Sequence, residues 1–241
     1  MRPVFLLMTG LVLALPSPAR ADWMLSAYLG DVWTHPSKAR LDQPAQHTSL
    51  EFIDLHYRAE SSRPRQYYGY RIGWIPSSRR WMAIEAEHVH AKVYAETADI
   101  RRVRGIYRGS LIDKPQQVSL IVEDLSMSHG LNFVFGNFVI RREFGARHRS
   151  GRRATATVRM GAGPTFPHAE STIGGVSRGH YEYGGIGAQI GGNIEFAVWR
   201  GLHVLGEYKF TGTSAKISVD GGEAVIPSRS HHIVAGVAAR F

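Results

Sequence analysis

The stretch GIGAQIGGNIEFAVWRGLHVLGEYKF, Gly185 to Phe210, decides the fold. In its first part Ile186, Ala188, Ile190, Ile194, Phe196 and Val198 alternate with Gly185, Gly187, Gln189, Gly191, Asn193 and Glu195. Residues of one parity share one face of an extended strand, so one face here is apolar and the other small or polar. Trp199-Arg200-Gly201-Leu202 turns the chain, after which Leu202, Val204, Gly206, Tyr208 and Phe210 oppose His203, Leu205, Glu207, Lys209 and Thr211. Two alternating runs joined by a tight turn read as an antiparallel hairpin.

The same period of two extends outward in both directions. Ala154, Ala156, Val158, Met160 and Ala162 share a face upstream, and His231, Ile233, Ala235, Val237, Ala239 and Phe241 share one in the last segment. The first half adds strands at 23–33, 68–74, 81–94 and 131–141, the last with its register left open by Phe135 and Phe138 on opposite faces. With 154–163, 186–198, 202–210 and 231–241 this makes eight spans. Their connections alternate between long polar stretches (about 35–66, 95–127, 167–180 and 217–229) and short ones (77–80, about 143–152 and 199–201). Thr48 to Arg58 also alternates and is expected to extend the wall inside the first long connection.

Aromatic residues stand at strand ends (Trp23, Trp33, Trp74, Trp81, Trp199 and Phe241), and glycines crowd the face opposite the apolar one. A water-soluble sandwich would turn its apolar faces inward. Aromatic girdles and a glycine-rich inner face fit a narrow barrel in lipid instead. The expected fold is all-β, an eight-stranded antiparallel transmembrane up-and-down barrel. Placing both termini in the periplasm of a bacterial outer membrane puts every long connection outside.

The ends and the composition agree. Arg2, the apolar run Val4 to Leu15 and the small residues of Ala19-Arg20-Ala21 read as a signal peptide over 1–21, leaving the barrel as 22–241. Its removal deletes Arg2 and Arg20, which lowers the formal charge from +9 to +7. The apolar run is shorter than the roughly 20 residues a membrane helix needs. The chain has no cysteine, which excludes disulfides, thiolate metal sites and thiol nucleophiles. The net positive charge comes with no nucleic-acid recognition motif.

Such a barrel is too narrow for a pore, and side chains fill it. The inward parity supplies Arg71, Glu85, Glu87, Arg159, Glu195, Glu207 and Lys209, expected to form a network of paired charges. The 12 histidines are a second feature, with His88, His90, His129, His168, His180 and the pair His231-His232 near the outer end. Glu87 or Glu182 would complete a His/carboxylate set, although strand parity separates Glu87 from His88 and His90 unless a bulge intervenes. Lys92, Arg101, Arg102, Arg104, Arg108, Arg178 and Lys216 lie in or beside the long connections, where cations suit anionic lipid head groups.

Collinear motifs carry a family resemblance. Glu87-His88-Val89-His90-Ala91-Lys92-Val93-Tyr94-Ala95 resembles the acidic-x-x-His-x-Lys-Val-Tyr-Ala signature of small barrels related to lipid A oxidase. His129-Gly130-Leu131-Asn132, Gly161 to Glu170, Tyr181-Glu182-Tyr183, Gly206 to Phe210, Asp220-Gly221-Gly222 and the terminal His232…Arg240-Phe241 resemble later segments of the same family in the same order. Phe135 and the stretch Val225 to Arg229 depart from its pattern. The resemblance implies an outer-membrane protein whose named relative oxidises the proximal glucosamine of lipid A with oxygen.

It makes Glu87, His90, Lys92, His129, Asn132 and Glu182 the candidate catalytic residues, with His168, Glu170, Glu207 and Lys209 among the other matched polar positions. Two classes of function stay open. One is a structural barrel binding lipopolysaccharide or another partner through its long external loops, with no cofactor and as a monomer. The other is a lipid A-modifying oxidase with Glu87 as base, His90 as ligand and a divalent metal as oxidant centre. Deacylation by serine and histidine ranks lower, because Ser128 and Ser230 stand one residue from His129 and His231 rather than two.

Overall fold

The computed structural model describes residues 23–61, 67–145 and 154–241; the expected signal peptide lies outside them, as does most of the 143–152 connection. Fourteen strands follow in order: β1 (Trp23–Thr34), β2 (Ser37–Gln43), β3 (Thr48–Leu55), β4 (Tyr57–Arg58), β5 (Tyr68–Trp74), β6 (Met82–Ala95) and β7 (Ile100–Tyr107). After these come β8 (Ser110–Gln117), β9 (Asp124–Phe144), β10 (Ala154–Ile173), β11 (Val176–Tyr181), β12 (Gly185–Trp199), β13 (Leu202–Val219) and β14 (Gly222–Arg240).

Eight of them form a closed antiparallel ring in the order β1-β5-β6-β9-β10-β12-β13-β14, with β14 pairing back onto β1 from Met24↔Arg240 to Thr34↔Ser230. Trp23 and Phe241 finish the seam by exchanging two backbone hydrogen bonds of 3.1 Å. Closure leaves the ring no unpaired edge, the condition for strands to cross a lipid layer. These eight are the spans expected from period-two alternation. The open register in the fourth resolves with Phe135 inside at 1 % exposure and Phe138 outside at 38 %.

In the lower part of the ring the usual distribution is inverted. Ile190, Ile194, Ile233, Met160 and Ile84 are exposed on the outer face, while Arg71, Arg159, Glu195 and Lys209 are buried inside. An apolar band of this extent around a polar interior is the signature of a transmembrane barrel. Arg71, Arg159 and Lys209 meet Glu85, Glu87 and Glu207 there, three cations against three carboxylates. Arg71 lies 2.7 Å from Glu87 and 3.0 Å from Glu207, and Arg159 lies 3.1 Å from Glu85. Lys209, Tyr28, Asn137 and Gln189 also donate to Glu87. Glu195 joins a separate pair with Arg240.

Higher up, the polarity returns to that of a water-soluble sheet. On β13, Glu207 and Lys209 face inward below, whereas Ala215, Ile217 and Val219 face inward above, with Lys216 and Ser218 outward. Strands β9, β10, β13 and β14 run through both tiers. The upper sheet continues from β14 through β2, β3 and β7 to β8, and Leu41, Leu50, Phe52 and Val103 build its apolar core. Thr48 to Arg58 extends the wall as expected. The long connections are thus largely strand, not loop. At the opposite end the ring closes through tight turns at 75–81 and at Arg200-Gly201.

Candidate functional site

The two tiers meet at the level of Phe166, and there β9 departs from regular pairing. Its neighbour β6 shifts register between Ala91 and Val93, and β10 shifts between Pro167 and Glu170. The surplus residues Ser128 to Gly130 form a bulge, with Gly130 at φ 100°. A side chain is disfavoured at that dihedral. A Cβ on Gly130 would also stand 2.3 Å from Nδ1 of His90. The bulge re-aims the strand so that His129 lies on the outer wall beside His168, their ring centroids 4.3 Å apart.

Strand alternation in β10 does the rest. His168 and Glu170, two residues apart, share the outer face, and Glu170 Oε1 stands 3.0 Å from His129 Nδ1 and 3.5 Å from His168 Nδ1. Tyr181 pairs directly across from His168, its ring edge-on with centroids 4.5 Å apart. Gly179, opposite Glu170, adds no side chain to crowd the carboxylate.

Below and beside this cluster, Tyr68 stacks on His90 at 4.7 Å and Tyr70 on His88 at 4.8 Å. Asn132 fixes His90 through a 2.9 Å bond to Nδ1 and ties itself to the carbonyl oxygen of Phe166 at 3.0 Å. Together Tyr68, His88, His90, His129, Asn132, Val134, Phe166 and Tyr181 line a groove of about 620 Å³ on the outer wall. Its floor is apolar and its upper half carries imidazole and phenol groups.

Of the residues expected at a site, His90, His129 and Asn132 are brought together here. Lys92 lies on β6 beyond His90 and is buried. Glu87 is on the far side of the wall, within the interior network, so the expected Glu87–His90 pair is not assembled; the pairing of β6 is regular from Glu87 to His90 and leaves their parity unchanged. Glu182 also stands apart, accepting bonds from the Ser218 backbone N–H (2.7 Å) and hydroxyl (2.8 Å) as a clip between connections. The groove adds Tyr68, Phe166 and Tyr181, and the cluster at its rim adds His168 with Glu170.

Ser128 contacts His129, but its Oγ and the Glu170 carboxylate address the same nitrogen, Nδ1. A serine relay needs the acid and the nucleophile on opposite ring nitrogens. Four of the external cations are paired with carboxylates. Arg102 pairs with Asp113 at 2.6 Å, Arg104 with Glu51 at 2.6 Å, Arg178 with Asp220 at 2.8 Å and Lys216 with Glu223 at 2.5 Å. The Arg104 guanidinium beside Glu51, helped by Lys38 and Arg40, holds that carboxyl down at about 2. Head-group recognition by the paired arginines would have to break these ladders.

No family model matches the chain, and no curated protein aligns with it. Among solved structures it is similar to Neisserial surface protein A (12 % identity, 92 % of this chain and 98 % of that one, TM-score 0.41). It is also similar to Ail, the attachment invasion locus protein of Yersinia pestis (10 %, 91 % and 99 %, 0.34), and to the outer membrane protease OmpT of Escherichia coli (11 %, 95 % and 99 %, 0.35). At such identities and TM-scores these are loose likenesses; the barrel rests on its own strand pairing.

Proposed function

We propose that the chain is a bacterial outer-membrane barrel, with both ends in the periplasm, that holds the lipid A portion of lipopolysaccharide against its outer wall. One observation carries this: the groove lies where the apolar band gives way to the polar tier, the depth at which an amphiphile changes from chain to head group. Val134 and Phe166 offer apolar area to acyl chains. The histidines, Asn132 and Tyr181 offer donors and flat rings to sugar and phosphate. Binding through long external loops is the less favoured route, since the described external residues are mostly paired strand.

The test is lipid retention by the natively extracted barrel, read by native mass spectrometry. The barrel is expected to keep lipid A in preference to phosphatidylethanolamine, and His90→Ala combined with Tyr181→Ala should abolish the preference while heat-modifiable migration persists. Equal retention of both lipids, or of lipid A by the folded double variant, would overturn the reading.

A second reading, oxidation of the proximal glucosamine, is favoured by the grouping of His129, His168 and Glu170 at the groove's edge. Lipid A from aerobic cells with and without the protein discriminates the two. The oxidase adds one oxygen atom to the proximal sugar, and an unchanged sugar leaves a binding barrel.

A further inference from the structure

We propose that His129, His168 and Glu170 bind one divalent transition-metal ion at the outer rim of the barrel. Their donor atoms all lie within 4.8 Å of one another, the grouping of that kind among the described residues. Ligands about 2.0–2.2 Å from a shared ion sit about 3.0–3.5 Å from each other. The Glu170 oxygen already stands at 3.0 Å from one imidazole nitrogen and 3.5 Å from the other. Only the two histidines must close on each other.

A hydrogen-bonded surface cluster would explain the Glu170–His129 contact without an ion. It does not explain His168. Its Nδ1 is shielded from solvent and makes no hydrogen bond, although a carboxylate oxygen lies 3.5 Å away. The backbone is also shaped around the three. The bulge carries His129 across, strand parity pairs His168 with Glu170, and Gly179 leaves space where a Cβ would press on Glu170 Cγ at 3.3 Å. All three side chains are half-buried, within reach of an ion but screened from bulk water.

The donor set selects the metal. Two imidazoles and one carboxylate suit iron(II), cobalt(II) or zinc, whereas magnesium and calcium prefer all-oxygen shells. Three protein ligands on one side leave positions open toward the groove, which His129 also lines. The inference is independent of lipid binding: a metal-loaded rim that holds no lipid would satisfy it.

The experiment is a cobalt(II) titration of the untagged mature barrel in detergent, stripped with chelator and followed by the visible d–d absorption of the bound ion. One equivalent is expected to bind. His129→Ala, His168→Ala and Glu170→Gln should each weaken binding at least about tenfold, since losing even an outer-shell partner costs about 10–100-fold. His180→Ala, on β11 but outside the cluster, should not change it. Heat-modifiable migration reports folding, and Glu170→Gln keeps the side chain's shape should the histidine variants misfold. No stoichiometric binding, equal binding in folded Glu170→Gln, or an equal loss in His180→Ala would overturn the proposal. Lipid retention measured on the same samples separates this failure from that of the groove.

Discussion

Lys209 shows what a single side chain does in an inside-out molecule. Its ammonium lies 3.0 Å from Glu207 and also bonds to Glu87 and to the hydroxyl of Tyr28, with no solvent exposure. Removing one partner from a buried ion network strands the opposite charge, at a cost of about 3–5 kcal/mol. Lys209→Met is therefore expected to lower unfolding stability by that amount in a urea titration of the lipid-embedded barrel. Adding Glu87→Gln restores the balance of two cations against two carboxylates. The double variant should be more stable than the single one, and a simple sum of two losses would show that the groups act independently.

At the scale of elements, the upper sheet adds a ladder of surface charge to its apolar core. Glu51 on β3 faces Arg104 on β7 and Lys38 and Arg40 on β2, and its pKa falls from 4.5 to about 2. A carboxyl depressed on folding contributes stability that is complete above its unfolded value. That contribution is lost as pH falls through the folded one. The β2–β3–β7 ladder should thus loosen between pH 4.5 and about 2, seen as faster amide exchange at Leu50 and Phe52 while the ring stays protected. Arg104→Gln should raise the Glu51 titration midpoint in NMR, and an unmoved midpoint would remove Arg104 as the cause.

These elements also mark what the sequence could reveal. The ring was legible because an apolar outer face recurs at every second residue along its spans, even where the inner face is apolar too, as at Phe133 and Phe135 in β9. Much of the upper sheet was not. Pro115 in β8 and Pro167 in β10 fall within the polar connections at 95–127 and 167–180, yet β8 is an edge strand and β10 carries Pro167 at a bulge. The alternation legible over 154–163 stops short of His168 and Glu170, which hides them as face-sharing neighbours. His129 was harder still. A bulge shifts parity without any signal except Gly130, so no period placed that imidazole against β10.

For the whole molecule, the decisive property is the level at which polarity reverses, since the groove and the His129–His168–Glu170 cluster both sit on it. Ile190 is 52 % exposed with polar residues behind it, whereas Ser218, also outward, has Ile217 and Val219 behind it. If lipid covers the lower tier, arginine at Ile190 is expensive, about 2–4 kcal/mol near the midplane, and arginine at Ser218 costs almost nothing. Folding titrations into lipid vesicles measure both. The absence of native cysteine permits a direct check with spin labels. Ile190→Cys should be relaxed by oxygen and shielded from a water-soluble relaxer, and Ser218→Cys should show the reverse. A label at Phe166→Cys should fall between them. Equal accessibility at all three sites would mean that lipid stops elsewhere, and the groove would then lie at the wrong depth to hold an amphiphile.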